Sequence, residues 1–447
     1  MRSAKYPFLI LLIVLLVAGL IGCQSQNVEK DTPKNTAEEG EEEITLTVML
    51  AWMIGEDRWE KFYKKPAEEK FPHLKLKRIE GDAGDRETLE KTFAEGVKPD
   101  IIMVSHPSQI QLLQEYELAY DMRDMIDQYD FDLTRYEDDY LAEWLSWTGG
   151  EIWSLPFVSQ KYALHYNKDI FDLFGVPYPT DDMTWDEVIE LAKKVTGERN
   201  GVQYHGLHMQ HDASQTLSQV MGDTLYVDPE TDEVLWTERQ EVSDYLALVD
   251  QEKSIPGNDL GEIETDGIAF IDAFQKIRNL AMIPHQFLEA LPEDLNWDIA
   301  TYPVWSQAPG IQPNQSGWAL GVTDISEHKE EAFELLKFWY SDEQILSKGN
   351  SAVTTPFNHL FENGAVEEAL KNDPNRSYLA ELNIDSLFQN KPGGGTSEKR
   401  SKYDTGAQNE IGKIGFEFYD SDQDRNEFLR DLKQKEEQRI VEEKATK

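Results

Sequence analysis

The sequence contains little cysteine and comparatively little positive charge. Its 447 residues include one cysteine, Cys23, which excludes an intrachain disulfide framework and a zinc site built on cysteines. Lysine and arginine total 43 against 85 aspartates and glutamates, so the formal net charge is −42. Because a chain this acidic repels phosphate backbones, we expect no nucleic-acid partner.

Two common catalytic motifs are missing as well. The chain has neither the Gly-x-Ser-x-Gly motif of serine hydrolases nor the His-Glu-x-x-His motif of zinc proteases. A pair of carboxylates placed as in glycosidases stays possible among the 85 acids, because their separation depends on the fold. We expect a protein that is not an enzyme and that uses no cofactor.

The first segment lacks an apolar run long enough for a stable membrane span. Two basic residues precede an apolar run at 8–21, which is shorter than the roughly 20 residues of a transmembrane helix. This arrangement is typical of a secretion signal. The run ends in the letters LIGC (20–23), which resemble the lipobox of bacterial lipoproteins, in which the cysteine is lipidated. We therefore predict a signal peptide at 1–22 and a lipid anchor on Cys23.

A polar segment follows the cysteine. Residues 24–43 contain almost no apolar side chains and end in an acidic run at 38–43. Such a composition cannot bury enough surface to fold, so we predict a flexible tether at 23–43. The predicted location is the outer face of the cell membrane, which would be the periplasm if the host has an outer membrane.

From residue 44 the pattern becomes that of an α/β protein. The segments ITLTVML (44–50) and LKLKRIE (74–80) have the composition of strands, and IIMVS (101–105) is a continuous apolar run of the buried-strand type. Charged segments of helical character separate these strands. Strands that alternate with helices predict βαβ units and a mostly parallel sheet.

The residues that follow these strands are candidate ligand contacts. In parallel sheets, ligands bind outside the carboxyl ends of the strands. Trp52, Glu56 and Asp57 follow the first strand, and Ser105 and His106 follow the third. We therefore expect these five residues on the rim of a binding site.

Five longer stretches carry a family resemblance. They are KPDIIMVS (98–105), IWSLPFVSQKYALHYNKDIF (152–171), VPYPTDDMTWDEVIELAKKV (176–195), WDIATYPVW (297–305) and SGWALGVTDISEHKEEAFELLKFWYSDE (316–343). In this order, and behind a lipobox, they resemble the extracellular solute-binding proteins of bacterial sugar ABC importers, the group that includes the maltose-binding protein. The resemblance runs from about residue 44 to residue 350.

One of these stretches also predicts a helix and its start. Thr184 and Glu187 have the spacing of a capping box, in which each side chain accepts a hydrogen bond from the backbone of the other residue. The apolar residues Val188, Leu191, Ala192 and Val195 then repeat at helical spacing.

The resemblance implies an α/β protein with the two-lobed, type II periplasmic-binding-protein-like fold, whose ligand cleft lies between lobes joined by hinge crossings. It implies lobe one at 44–157 plus 298–350. Lobe two, with the C-terminal helices, is expected at 158–297 plus 351–447. Segment 156–160 is expected to be a hinge crossing, and closure over the ligand would let a partner distinguish loaded from empty protein.

The resemblance also implies ligand contacts from the crossings and from lobe two. A sugar needs flat aromatic surfaces for its ring faces and polar side chains for its hydroxyls. Gln160 and Tyr162 follow the hinge crossing, and Trp318 precedes the strand ALGVTDI. His211 and Gln215 lie beyond a predicted strand of lobe two. We expect all five residues to contact the ligand.

Two motifs suggest a metal site, but their residues argue against it. His205, His208 and His211 would converge only on a helix, whereas the surrounding residues predict a strand. Segment 420–431 begins like a calcium loop but has arginine at its sixth position, where the turn needs glycine. We expect no metal, and we predict that Ser421 caps a C-terminal helix.

The sequence thus predicts the substrate-binding component of an ABC importer, a monomer that captures a mono- or oligosaccharide and delivers it to permease subunits in the membrane. The stretch 104–107 lacks the stacking aromatic that some family members have there, which argues against a long maltodextrin-like ligand. Alternatives stay open: a binder of a non-sugar solute such as a peptide, a polyamine, a phosphorylated compound or a metal ion, a carbohydrate-active enzyme, and a sensory lipoprotein.

Overall fold

The computed structural model describes most of the chain from residue 43 to residue 445. The described ranges are 43–51, 54–81, 85–136, 138–222, 224–261, 268–288, 290–314, 317–347, 353–374, 377–394 and 400–445. They belong to one compact unit that begins at Glu43. The predicted lipid anchor at Cys23 and the predicted ligand contact Trp52 lie outside the described residues.

Strands and helices alternate through much of the described chain. In chain order, strands β1 to β12 are Ile44–Leu50, Leu74–Glu80, Ile101–Val104, Leu155–Pro156, Tyr162–Asn167, Gly197–Arg199, Val202–Tyr204, Met282–Gln286, Trp297–Thr301, Ile311–Gln312, Ala319–Val322 and Lys391–Pro392. Helices α1 to α18 are Glu56–Trp59, Lys65–Lys70, Arg86–Ala94, Gln111–Glu115, Arg123–Gln128, Asp138–Ser146, Lys168–Phe174, Trp185–Val195, Ala213–Met221, Gln240–Lys253, Ala269–Asp272, Lys329–Trp339, Asp342–Ser347, Asn358–Glu362, Ala365–Asn372, Ser386–Gln389, Asp404–Tyr419 and Arg425–Ala445. Short 3-10 turns (Pro107–Ile110, Leu133–Arg135, Ser377–Glu381) and π-helical turns (Glu60–Lys64, Ala273–Ile277) complete the helical elements described here. Within these ranges, no helix is both long enough and apolar enough to cross a membrane.

Lobe one is the part of the molecule built on a five-stranded sheet with the order β2-β1-β3-β11-β4. Strand β1 runs parallel to β2, with Ile44 opposite Leu74, and parallel to β3, with Val48 opposite Ile101. Strand β11 runs antiparallel to β3 and β4. Strands β3 and β11 are buried along their whole length, as their continuous apolar sequences predict.

Lobe two is built on a three-stranded sheet with the order β8-β5-β9, and both of its strand pairs are antiparallel. The expectation of a mostly parallel sheet is therefore wrong for this lobe, and in lobe one it holds only for β1, β2 and β3. Two neighbouring strands are parallel when the connection returns the chain to the end of the sheet at which the first strand began. Strand β8 instead begins at the end where β5 finishes, although helices α7 to α11 separate the two strands, and it therefore runs antiparallel to β5.

Helices α8, α10, α17 and α18 cover the core of lobe two. Trp185, Trp236 and Tyr245 are among its largest fully buried side chains. Burial of a large apolar side chain stabilises a fold by roughly 3 kcal/mol, so these aromatic residues anchor the helices firmly. The apolar residues within 403–440 belong to this core, whereas those within 353–387 belong to the other buried cluster, which contains the core of lobe one and also Trp297 and Ile299 of β9. The lobe boundaries expected from the sequence stay a prediction.

Segment 156–160 connects the sheet of lobe one to the sheet of lobe two. Phe157 and Val158 donate their backbone N–H groups to the carbonyl oxygen of Trp318, at 2.8 Å and 3.3 Å. A Cβ atom at Gly317 would lie 1.8 Å from the carbonyl oxygen of Val158, so only glycine fits there. The predicted hinge crossing is thus paired closely with a second segment that runs between the lobes.

Two predicted helix caps have different outcomes. Thr184 and Glu187 form the predicted capping box of α8: the Glu187 backbone N–H donates to Thr184 Oγ1, and Glu187 Oε2 accepts from the Thr184 backbone N–H. The prediction that Ser421 caps the C-terminal helix is wrong. Asp424 Oδ1 accepts from the N–H groups of Asn426 and Glu427 instead, because Asp424 directly precedes the first turn of α18.

Candidate functional site

A cleft of about 1140 Å³ lies between the two lobes. Its wall in lobe one is formed by residues near the carboxyl end of β3 and after α6, and its wall in lobe two by the start of α9 and by α17. The lining residues used below are Arg86, His106, Gln109, Glu115, Trp147, Glu151, Trp153, Asp212, Arg400, Thr405, Gln408, Asn409 and Gly412. Small-molecule ligands commonly bind in clefts between domains and outside the carboxyl ends of parallel strands.

The turn after β3 places a histidine on the wall of the cleft. Gln109 Oε1 accepts hydrogen bonds from the backbone N–H groups of Ser105 and His106, both at 3.1 Å. These bonds hold the start of the 3-10 turn and direct the His106 side chain to the cleft. Burial, with a smaller effect from the charge of Arg400, lowers the pKa of His106 to about 4. The imidazole is therefore neutral near pH 7 and can donate one hydrogen bond and accept another.

Two largely buried tryptophans border the cleft in lobe one. Trp147 follows α6 and Trp153 precedes β4, and they are 5% and 6% exposed. Trp153 Nε1 donates to Glu151 Oε2 at 2.7 Å, which fixes the indole ring and leaves the other carboxylate oxygen able to accept from a ligand. Flat aromatic faces beside carboxylates are the surfaces that sugar rings and their hydroxyls require.

In lobe two, a strained turn precedes the acidic cleft residue Asp212. Gln210 and His211 both have left-handed backbone conformations, with φ of 65° and 60°. His211 Nε2 lies 2.7 Å from Glu252 Oε2, and this buried pair holds the turn in place. Asp212 then caps α9 by accepting from the Ser214 N–H at 3.0 Å, and burial raises its pKa.

Arg400 reaches from lobe two to an aromatic residue of lobe one. Its guanidinium lies 4.6 Å from the ring centre of Trp147 and 5.2 Å from that of Tyr226, which belongs to lobe two. Asp404 lies 3.4 Å from the Arg400 guanidinium, and burial raises the pKa of Asp404 to about 6. Cation–π contact with Trp147 therefore links the two walls of the cleft.

A second contact also crosses the cleft. Gln408 Nε2 of α17 lies 3.4 Å from His106 Nε2. At the rim of lobe one, both carboxylate oxygens of Glu115 accept from the Arg86 guanidinium, at 2.7 Å and 2.8 Å. The cleft thus combines aromatic faces with amide, imidazole and carboxylate groups, which can make many hydrogen bonds to one polyhydroxylated ligand.

Some predicted contact residues lie in or next to the cleft, and others lie on the surface of lobe one. Among them, His106 lines the cleft, with Ser105 next to it in the chain, and Gln215 follows the cleft residue Ser214 in α9. Glu56 pairs with Arg78 at 3.4 Å on the surface of lobe one. Asp57 is exposed in the same helix.

The other predicted contacts pack near the crossings or within lobe two. Tyr162 is buried, and its hydroxyl donates to Gln160 Oε1 at 2.8 Å. Trp318 is half-buried, 6.2 Å from the ring of Phe157. His211 is buried against Glu252 and does not line the cleft. Roles in ligand binding for all of these residues stay predictions.

Sequence reasoning did not select Trp147, Trp153, Arg400 or Gln408. The two tryptophans lie in 147–153, between helix α6 and the buried strand β4. A tryptophan shortly before a strand was the sequence feature that could have indicated a ligand contact there. No local pattern marks Arg400 or Gln408, because their contacts across the cleft are with Trp147 and His106, which lie far earlier in the chain.

The three histidines of the His-x-x-His-x-x-His motif serve separate partners. His205 Nδ1 lies 3.1 Å from the carbonyl oxygen of Asn258, and His208 Nδ1 accepts from the Gln210 N–H at 3.0 Å. The rings of His208 and His211 lie 4.9 Å apart, closer than a strand would bring them. Across the described ranges, no group of three or more His, Cys, Asp or Glu side chains is arranged to hold a metal ion.

A family model described as bacterial extracellular solute-binding protein matches residues 56–345, which is more than half of the chain. The chain belongs to this family. The matched range includes strands β2, β3, β4 and β11 of lobe one, the three-stranded sheet of lobe two and the crossing at 156–160. It does not include strand β1 or helix α17.

Solved structures support the same two-lobed fold. The sugar-binding protein MalE from Xanthomonas citri superposes with a TM-score of 0.66 at 15% identity, over 90% of this chain and 99% of that chain. An ABC substrate-binding protein from Listeria monocytogenes in complex with cycloalternan gives a TM-score of 0.64 at 17% identity, over 89% of this chain and 99% of that chain. The two-lobed α/β fold predicted from the sequence is confirmed.

A sequence relative matches a short part of the chain. The sn-glycerol-3-phosphate-binding periplasmic protein UgpB of Agrobacterium fabrum is 40% identical over 62 residues, which are 13% of this chain and 14% of that protein. The chain thus matches about one seventh of the length of that relative.

Proposed function

We propose that this protein captures a neutral carbohydrate in the cleft between its lobes and delivers it to the permease of an ABC importer. The observation that carries the proposal is the composition of the cleft, in which Trp147 and Trp153 lie beside hydrogen-bonding side chains from both lobes. Two solved proteins of the same fold are described as binding sugar or cycloalternan, which supports the same class of ligand.

The charges of the cleft favour a neutral ligand over a phosphorylated one. Two nitrogens of the Arg86 guanidinium donate to the two carboxylate oxygens of Glu115, and the Arg400 guanidinium lies beside the Asp404 carboxylate. Asp212 adds a carboxylate to the wall of the cleft. The residues that line the cleft carry three cations, including Lys402, and four carboxylates, including Glu151. A phosphate would therefore meet a wall in which carboxylates outnumber cations, whereas a sugar hydroxyl can donate to the carboxylates.

The proposal includes the setting in which the protein works. The LIGC motif supports a lipid anchor on Cys23, on the outer face of the membrane, with 23–43 as the tether. Family membership supports an extracellular solute-binding role without catalysis. We further propose that the protein acts as a monomer and that lobe closure presents the loaded form to the permease subunits.

The test is calorimetric titration and thermal unfolding of the soluble body, residues 43–447, with a ligand panel. The panel contains mono- and oligosaccharides, sn-glycerol 3-phosphate, amino acids, polyamines and divalent ions. A ligand that binds only the folded state at 1,000 times its Kd raises the unfolding free energy by about 4 kcal/mol. We expect such an increase with a carbohydrate and no product of its hydrolysis.

Matched glutamine variants locate the site. Gln408→Ala removes a side chain of the cleft, and Gln240→Ala removes an exposed one from α10, where Gln240 Nε2 donates to Asp244 at 2.7 Å. We expect about tenfold weaker sugar binding in Gln408→Ala and unchanged binding in Gln240→Ala. Binding of glycerol phosphate or a cation alone, or turnover of an oligosaccharide, would contradict the proposal.

A further inference from the structure

One face of helix α17 continues beyond the cleft. Thr405, Asn409 and Gly412 line the cleft, and their spacing of four and three residues places them in one narrow stripe. Four residues after Gly412, Phe416 extends the same stripe by one helical turn. From Thr405 to Phe416 the stripe is about 16 Å long, at 1.5 Å per residue. The cleft wall in lobe two therefore leads directly to Phe416.

Phe416 is exposed although its surroundings are well packed. It is 45% exposed, and its ring meets the ring of His211 edge to face, with centres 6.0 Å apart and planes at 88°. His211 is itself fixed, because it pairs with Glu252 at 2.7 Å and stacks on Tyr419 at 4.2 Å. The buried His211 thus supports one edge of a phenyl ring that presents free surface at the end of the cleft.

Gly412 keeps the path between the cleft and Phe416 open. A Cβ atom at position 412 would lie 3.4 Å from Asp212 Oδ1, which is already ordinary van der Waals contact. Any longer side chain there would fill the space between the Asp212 carboxylate and the stripe. Glycine therefore leaves room for a ligand that contacts Asp212 and continues toward Phe416.

We infer that Phe416 is the aromatic platform of an outer sugar subsite, so that the preferred ligand is an oligosaccharide longer than the central cleft holds. The inference rests on the proposed carbohydrate function and deepens it. An exposed aromatic face stacks on the apolar face of a sugar ring, and the stripe on α17 has the length for several linked rings. Lobe two thus supplies the outer aromatic contact, and the missing aromatic at 104–107 of lobe one does not limit the length of the ligand.

The experiment measures affinity by calorimetry for gluco- and manno-oligosaccharides of one to five units. The variants are Phe416→Ala, which removes the ring, and Phe416→Trp, which enlarges the aromatic face. Tyr178→Ala is the matched control, because Tyr178 is 40% exposed in lobe two and its hydroxyl donates to Asp172 rather than lining the cleft. Thermal unfolding without ligand verifies that each variant is folded.

We expect Phe416→Ala to weaken binding of the longest bound oligosaccharides about 5- to 20-fold while leaving the shortest bound sugar unchanged. Phe416→Trp should retain or increase the affinity for long ligands, and Tyr178→Ala should change neither. Equal effects on short and long ligands, or no effect on long ones, would overturn the inference and leave the proposed function intact. Binding of monosaccharides alone by the wild-type protein would also overturn the inference and leave the proposed function intact. A wild-type protein that binds no carbohydrate would overturn both the inference and the proposed function.

Discussion

A buried histidine in the sheet of lobe two must stay neutral for the protein to fold. His165 is fully buried, with its ring stacked between Phe287 and Trp297 at 6.1 Å and 5.8 Å. Its Nε2 accepts from the Leu288 N–H at 3.1 Å, so the proton of the neutral ring is on Nδ1, 3.3 Å from the carbonyl oxygen of Ile283. Burial, with a smaller effect from His285, lowers the pKa of His165 to about 3.

The residue-scale prediction is a loss of stability in acid. The folded pKa of His165 lies below the unfolded value of about 6.5, so its contribution is complete above pH 6.5 and is lost as the pH falls toward 3. Relative to pH 7, about 2–3 kcal/mol of unfolding free energy should be lost at pH 4.5 through this residue. Urea unfolding at both pH values should show a smaller pH dependence in His165→Phe, which keeps an aromatic ring but does not titrate.

The comparison uses the change between the two pH values, because His165→Phe also loses the hydrogen bond from Leu288 and is less stable at pH 7. Other titrating groups contribute equally to both proteins and cancel. A variant with the same pH dependence as the wild type would show that His165 is not held neutral.

At the scale of single elements, α8 shows how well a local pattern predicts structure. The predicted capping box of Thr184 and Glu187 is confirmed, and Val188, Leu191, Ala192 and Val195 are buried at helical spacing as expected. Both features depend on residues that lie within one or two helical turns of each other, so the local sequence is enough to predict them. The cap of α18 was assigned wrongly because both Ser421 and Asp424 are good capping residues, and the choice depends on where the chain turns.

The element-scale prediction concerns this cap. Thr184→Ala removes the oxygen that accepts from the Glu187 N–H at 3.3 Å, and it should lower the unfolding free energy by about 1 kcal/mol. Thr184→Ser keeps a hydroxyl, so its unfolding free energy should fall by at most a few tenths of the decrease in Thr184→Ala. The measurement is the urea midpoint with an unchanged m-value. Equal stability of the alanine and serine variants would show that the side-chain cap contributes nothing.

At the scale of the whole molecule, the distinctive feature is the pair of contacts across the cleft. The Arg400 guanidinium lies against Trp147, and Gln408 lies near His106. In each pair the first residue belongs to lobe two and the second to lobe one. Closed arrangements of the lobes therefore gain from a planar cation on an aromatic face in addition to ligand contacts.

The prediction at this scale is that Arg400→Lys shifts the protein toward open arrangements. Lysine keeps a positive charge beside Asp404 but lacks the planar guanidinium that lies on Trp147. We expect a larger radius of gyration in small-angle scattering without ligand, and several-fold weaker ligand binding through faster dissociation. Lys402→Arg, at the rim of the same cleft, serves as the control because it changes the cation type without touching the Trp147 contact. Identical scattering of Arg400→Lys and wild type would contradict the prediction.

The sequence by itself determined strands β1, β2, β3 and β11, the capping box of α8 and the family, because each depends on short-range patterns or on their order along the chain. It also predicted that His106 follows a buried strand, and the structure has β3 ending at Val104, since the carboxyl end of a buried strand is a local feature. The role of His106 in ligand binding stays a prediction.

Only the tertiary structure decided the direction of the strands in lobe two and the walls of the cleft. Arg400 meets Trp147, and Thr405, Asn409 and Gly412 line the cleft, only because α17 packs on lobe two and faces lobe one. Contacts between residues some 250 positions apart depend on how whole elements pack, and no period or motif in the sequence encodes that packing.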